Sequence, residues 1–198
     1  MKNVVINDQS YQVEDGVTII EAARNNDIEI LTLCYLKECS NIGKCGICAV
    51  EVEGKNNLSL ACLTKVEDGM VIRTNTEKVQ ERVKTRVSTL LNKHEFKCGT
   101  CTRKENCELL KLVIKTKARA TTPFKVEDKR EFIDDRSKSI TIDRTKCVLC
   151  GRCQAACTKN TGTGSIKLAN VDGKRIVTTV DQKCFDETNC LLCGQCVA

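Results

Sequence analysis

Residues 147–157 read CVLCGRCQAAC, and residues 190–196 read CLLCGQC. The first stretch is a full C-x2-C-x2-C-x3-C run, the spacing by which a chain wraps a [4Fe–4S] cluster. Where two such clusters are paired, the fourth cysteine of each run serves the other cluster. The spacing therefore groups Cys157 with Cys190, Cys193 and Cys196, and leaves Cys147, Cys150 and Cys153 as a set of three. Zinc ribbons use separated C-x2-C pairs, not three evenly spaced cysteines, so these runs predict a pair of cluster sites. Thr158 stands where the pattern usually has proline, which alters a turn but removes no ligand. The missing fourth ligand of the first set is expected just beyond Ala198, so the chain reads as cut.

Two further cysteine groups lie upstream. Cys34, Cys45, Cys48 and Cys62 are spaced C-x10-C-x2-C with a remote fourth. Plant-type [2Fe–2S] spacing would be C-x4-C-x2-C, and Cys34 and Cys39 satisfy its first step, but position 42 is Ile. Gly43 and Gly46 between these cysteines let backbone N–H groups turn toward sulfur and stabilise its charge. A zinc site or ordinary buried thiols would also suit this group taken alone. The other group is His94, Cys98, Cys101 and Cys107 in HEFKCGTCTRKENC, and His94 is the chain's one histidine. A lone His at a helix C-terminus is favoured by the macrodipole without any metal. Three cysteines within the next thirteen residues supply a full Cys3His set, which suits zinc or iron equally by spacing. Cys39 and Cys184 are left over.

The remainder of the sequence supports small, cofactor-held modules. The chain has 198 residues with 3% aromatics and no Trp, so it cannot rely on one large core. Sixteen cysteines in a chain with no signal-peptide h-region and no apolar run of membrane length predict a cytoplasmic, metal-binding protein. The formal charge of +6 counts cysteines as neutral. Thiolates around four clusters, each with a core of roughly +2, add about −6 in total. The holo-protein is then near neutral, which removes the case for a nucleic-acid partner.

Residues 1–75 read as a small α/β unit: strands at KNVVIN and SYQVE around Asn7 and Asp8, a helix at GVTIIEAARNND, then strands at ICAVEVEG and GMVIRT. A long helix follows, TNTEKVQERVKTRVSTLLNKH, with Thr74 and Glu77 as a capping box and Val79, Val83, Val87, Leu90 and Leu91 as its apolar stripe. A short helix at NCELLKLVIKTKA comes next. Residues 116–139, with Pro123, read as a surface connector. Strands are expected at SITID and in a hairpin, SIKLAN/KRIVTT, turning at Asp172-Gly173.

The ordered series of four groups resembles the N-terminal accessory domain of clostridial-type [FeFe]-hydrogenases, most specifically in HEFKCGTCTRKENCELLKLVIK, DRTKCVLCGRC and CFDETNCLLCGQC. The resemblance covers the whole chain. It implies an α+β fold of three modules: a β-grasp plant-type ferredoxin-like unit (1–75), a small helical His/Cys3 cluster unit with connector (76–139), and a two-cluster bacterial ferredoxin-like unit (140–198). It implies one [2Fe–2S] cluster on Cys34, Cys45, Cys48 and Cys62, and [4Fe–4S] clusters on His94, Cys98, Cys101 and Cys107 and on Cys157, Cys190, Cys193 and Cys196. The set Cys147, Cys150 and Cys153 would hold a further, incompletely ligated [4Fe–4S] cluster. The last complete set would lie nearest a catalytic H-cluster domain that this chain lacks. The chain alone is therefore expected not to turn over hydrogen. Its role would be conduction within a ferredoxin hydrogenase of an anaerobe, with soluble ferredoxin as partner. Lys37, Lys44 and Lys55, or Arg103, Lys104, Lys111 and Lys115, could steer that acidic protein. The same cluster series also serves as a subunit of NAD-linked hydrogenases and of complex I-like assemblies. A zinc-stapled interaction module is the reading from a different class.

Overall fold

The computed structural model describes every residue except Ser40, Asn41, Pro123, Glu127 and Ala198. The chain forms two compact units: residues 1–33, 45–89 and 98–119 make the first, and 34–44, 90–97 and 120–198 the second.

The first unit is built on a five-stranded sheet. Strands β1 (Lys2–Ile6) and β2 (Gln9–Val13) form a hairpin whose two turn residues, Asn7 and Asp8, both have positive φ (50° and 67°). That is the twist a two-residue turn needs to match the strands, and Asn and Asp tolerate it. Helix α1 (Ile19–Asn25) follows; the backbone N–H and hydroxyl of its N-cap Thr18 both donate to Glu21 (2.8 and 2.7 Å). Strands β3 (Ala49–Val52), β4 (Ser59–Leu60) and β5 (Met70–Arg73) complete the sheet in the order β2-β1-β5-β3-β4, with β1 and β5 parallel. Val4, Ile6, Ile19, Ile20, Val50, Val66 and Ile72 are buried at its centre. The hydrophobic spacing of β1, β3, β5 and α1 gives these elements their inward faces; the two-residue β4 has no alternation to betray it.

Helix α2 (Glu77–Leu91) buries all five of its predicted apolar positions. Its cap differs from expectation. Thr76, not Thr74, accepts from the Val79 N–H (3.4 Å), while the Thr74 N–H donates to Asn7 Oδ1 (2.9 Å) and the Thr74 hydroxyl accepts from Asn7 Nδ2 (2.8 Å). The β1–β2 turn therefore claims the residue that local sequence assigned to the helix. Helix α3 (Glu108–Thr116) buries Leu109 and Leu112 and ends at Lys117 in the left-handed region.

In the second unit, β8 (Ile166–Val171) and β9 (Lys174–Thr179) pair over six residues and turn at Asp172 and Gly173 (φ 48° and 76°), as predicted. Ile142, Ile166, Leu168, Val177 and Phe185 form its core. Helix α4 (Arg152–Lys159) carries Cys153 and Cys157 of the first cysteine run and packs against β8. The expected surface connector is not featureless. Its residues Ile133–Asp134 form β6, paired with β7 (Ile142–Asp143), and Ser137 is buried with its hydroxyl donating to Asp186 (2.8 Å). Asp134 accepts from Arg136 Nε (2.8 Å) and Arg144 Nη2 (3.1 Å), so a segment of mixed charges folds around ion pairs instead of apolar spacing. Pro123 lies outside the described residues.

Candidate iron–sulfur sites

The two cysteine runs of the second unit share one backbone shape. Leu149 and Leu192 have φ of 57° and 51°, and Gly151 and Gly194 have φ of 82° and 73°. The left-handed leucine turns its own N–H back onto the preceding cysteine: Leu149 N–H donates to Cys147 Sγ (3.4 Å) and Leu192 N–H to Cys190 Sγ (3.5 Å). Backbone N–H groups aimed at sulfur stabilise thiolate charge, so the strain of a non-glycine residue at positive φ has a chemical return.

Cys147, Cys153, Cys157, Cys190 and Cys196 all pack on the hairpin core. Cys196 interacts with Cys190, Cys157 and Cys193, and Cys153 with Cys150, Cys147 and Cys196. A cleft is lined by Cys157, Cys190, Cys193, Cys196 and Phe185, the first four being the set that the spacing groups together. Burial pushes the Cys153 thiol up to about 12, and raises Cys147 and Cys196 as well. Such dry thiols ionise readily only beside cationic iron, so the donor set fits a cluster. Cys157 goes the other way. Burial alone would raise it, but hydrogen bonding, foremost from Thr163, holds it below the usual thiol range.

His94 sits in the same unit. Its Nδ1 is 3.2 Å from the Lys146 carbonyl, which accepts its proton and leaves the Nε2 lone pair available. Burial pushes the imidazole pKa down, so the ring is neutral, the form that ligates metal. The neighbouring Glu95, 7% exposed, is gripped by Lys146 (2.9 Å), Lys97 (2.9 Å) and Lys129 (3.0 Å), and its N–H donates to the Thr145 carbonyl (2.8 Å). Lys146, Lys97 and Lys129 hold its carboxyl well below the ordinary carboxylate range. Glu95 thus ties the His94 segment to the short 3-10 turn, Arg144–Lys146, that leads into Cys147. Nothing in the cysteine spacing points to Glu95, and the only sequence signal was a charged residue beside the lone histidine.

In the first unit, Cys45, Cys48 and Cys62 are buried and close together. The Cys48 and Cys62 sulfurs are 3.3 Å apart, and the hydrogen bond between them lowers the Cys48 pKa. Arg86 Nε donates to the Cys45 carbonyl (3.0 Å) across Gly46, where a Cβ would meet Nε at 3.1 Å. Cys98, Cys101 and Cys107 line consecutive turns of this unit: Cys101 N–H donates to the Cys98 carbonyl (3.4 Å), and Leu110 N–H to Cys107 Sγ (3.4 Å) at the start of α3. Cys34 belongs to the second unit, as does His94. Cys39, one of the two spare cysteines, is buried with its thiol on Asn160 Oδ1 (3.3 Å).

Residues 2–77 match a 2Fe-2S iron–sulfur cluster binding domain, and residues 78–118 match the iron–sulfur centre-binding domain of iron hydrogenase 1-like proteins. Iron hydrogenase 1 of Clostridium pasteurianum is 57% identical over 94% of this chain. The chain belongs to the accessory iron–sulfur domains of the iron hydrogenases. This iron–sulfur domain spans about a third of such relatives: 32% of the clostridial protein, and 28% of the NADP-reducing hydrogenase subunit HndD of Solidesulfovibrio fructosivorans, which is 36% identical over 79% of the chain. The NADP-linked relative is thus the more distant of the two. In fold the domain is similar to a chain in the crystal structure of an NAD+-reducing [NiFe]-hydrogenase in the H2-reduced state, with a TM-score of 0.84 and 21% identity over 96% of this chain and 80% of that one. Among the described residues, no helix of the iron–sulfur domain is long and apolar enough to cross a membrane.

Proposed function

We propose that the chain is the electron-relay portion of an iron hydrogenase, passing single electrons between a soluble ferredoxin and a catalytic H-cluster domain. The observation that carries this reading is the pair of matching cysteine loops, with Cys157 of one run lining the same cleft as Cys190, Cys193 and Cys196 of the other. The ligand sets are those the spacing assigns: Cys34, Cys45, Cys48 and Cys62 for a [2Fe–2S] cluster; His94, Cys98, Cys101 and Cys107 for a [4Fe–4S] cluster; Cys157, Cys190, Cys193 and Cys196 for a second; and Cys147, Cys150 and Cys153 toward a third. The modules are 1–75, 76–139 and 140–198. Bound clusters would supply one-electron storage at each step.

The chain's own residues tune that storage. Leu149 and Leu192 direct N–H groups at cysteine sulfur, and Lys146 fixes the His94 tautomer. Zinc fits less well. Zinc ribbons use separated C-x2-C pairs, whereas residues 147–153 and 190–196 each carry three evenly spaced cysteines. Clusters of basic residues, Lys37 with Lys44 and Arg103 with Lys104, offer complementary charge to an acidic ferredoxin. Sixteen cysteines suit a reducing cytoplasm. The likeness to HndD and to the NAD+-reducing hydrogenase favours, as a second reading, a relay serving a nicotinamide-linked partner.

Iron, zinc and acid-labile sulfide per chain after anaerobic purification test the proposal, with EPR after reduction. Roughly ten to fourteen irons with matching sulfide are expected for one [2Fe–2S] and two to three [4Fe–4S] clusters. Zinc in their place would overturn it. Rapid reduction of the chain by ferredoxin, but not by a reduced nicotinamide subunit, would separate the first reading from the second.

A further inference from the structure

The loop after α4, residues 161–164, reads TGTG. Gly162 and Gly164 both lie in the left-handed region (φ 72° and 59°). This backbone brings the Thr161 and Thr163 hydroxyls to 3.2 Å from each other. Thr161 Oγ1 donates to the Cys157 carbonyl (2.6 Å), and Thr163 Oγ1 lies 3.2 Å from Cys157 Sγ. The proton count fixes the direction. The Thr161 proton is committed to the carbonyl, so between the two hydroxyls Thr163 must be the donor. A free Cys157 thiol can donate to Thr163 and let Thr163 donate to Thr161. An iron-bound thiolate has no proton to give, and as a charged acceptor it draws the Thr163 proton to itself. Ligation therefore swings one hydroxyl onto sulfur.

We propose that the Thr163 hydroxyl sets the reduction potential of the cluster held by Cys157, Cys190, Cys193 and Cys196. This rests on the relay reading above. One-electron reduction spreads negative charge onto the ligand sulfurs. A donor at Cys157 Sγ stabilises the reduced state more than the oxidised one, so it raises the potential. No proton leaves Thr163 in the step: one electron enters from the donor and the hydroxyl stays intact.

The test is an EPR-monitored dithionite titration of the full chain reconstituted anaerobically with iron and sulfide. The [4Fe–4S] signal lost in Cys193→Ser assigns the cluster. Thr163→Val, close in shape but without the hydroxyl, should shift its equilibrium about tenfold toward the oxidised form at fixed potential, about 59 mV more negative for a one-electron couple. Thr163→Ser should restore the original midpoint. Deuterium exchange supplies a readout on the unmutated chain: the reduced cluster should couple to an exchangeable hydroxyl deuteron. If Val crowds the loop, Thr163→Ala should give the same direction of shift. A Thr163→Val or Thr163→Ala cluster that titrates at the original midpoint overturns the inference while leaving the relay intact. Absence of any [4Fe–4S] signal dependent on Cys193 overturns the relay reading and this inference with it.

Discussion

The Nδ1 atom of His94 lies 3.2 Å from the carbonyl oxygen of Lys146, the residue immediately before Cys147. One hydrogen bond thus joins the imidazole to the peptide that leads into another ligand set. The bond consumes the Nδ1 proton, and burial keeps the ring neutral.

Replacing that neutral donor by a thiolate adds a full negative charge to the cluster's ligands. His94→Cys should therefore retain iron but shift its cluster's midpoint to more negative potential, by a tenfold change in the reduction equilibrium or more, at least about 59 mV. Redox titration followed by EPR reads this directly. An unchanged midpoint for every cluster would show that His94 is not bound to iron.

Gly151 and Gly194 occupy equivalent places with φ of 82° and 73°, but their surroundings differ. A Cβ on Gly151 would lie 3.0 Å from the Lys44 side chain, whereas one on Gly194 meets nothing within 4 Å. Gly194→Ala should cost about 1–2 kcal/mol of stability for the left-handed conformation alone. Gly151→Ala should cost that plus the displacement of Lys44, and lower iron loading further. Thermal unfolding of the two variants side by side distinguishes them; equal losses would mean the Lys44 stem yields freely.

Asp134 is held down to about 2 first by Arg136, with Arg144 adding to it. Its folded value lies below the unfolded one of about 3.9. The stability it contributes is therefore complete above that value and lost as the pH falls through about 2. Asp134→Asn should lower stability at neutral pH by about 1–3 kcal/mol and flatten the acid side of the unfolding profile. Denaturant unfolding of the cluster-free chain from pH 6 to pH 2 checks both; a parallel profile in the variant would assign the acid loss to other carboxylates.

Much of this arrangement is legible in the residues. The β1–β2 turn is announced by Asn7-Asp8, the α2 stripe by its valine spacing, and the β8–β9 hairpin by Asp172-Gly173. What the residues conceal is long-range competition. Thr74 has the right spacing for a cap, yet Asn7, far away in sequence, takes its hydrogen bonds. The segment around Asp134 has no apolar period because arginines hold it, and the Glu95 clamp joins lysines from three separate stretches. The hydroxyls at Thr161 and Thr163 were hidden in a loop whose composition suggests only a turn.

Cys153 and Cys157 stand four residues apart on α4, and the proposed ligand sets divide them. One helical turn, a rise of about 6 Å, is then the gauge between two redox centres. On the relay reading, the interval across which an electron hops would be fixed by backbone hydrogen bonding and not by side-chain packing. A single residue inserted between them would rotate Cys157 by about 100° and break the wire without touching a ligand.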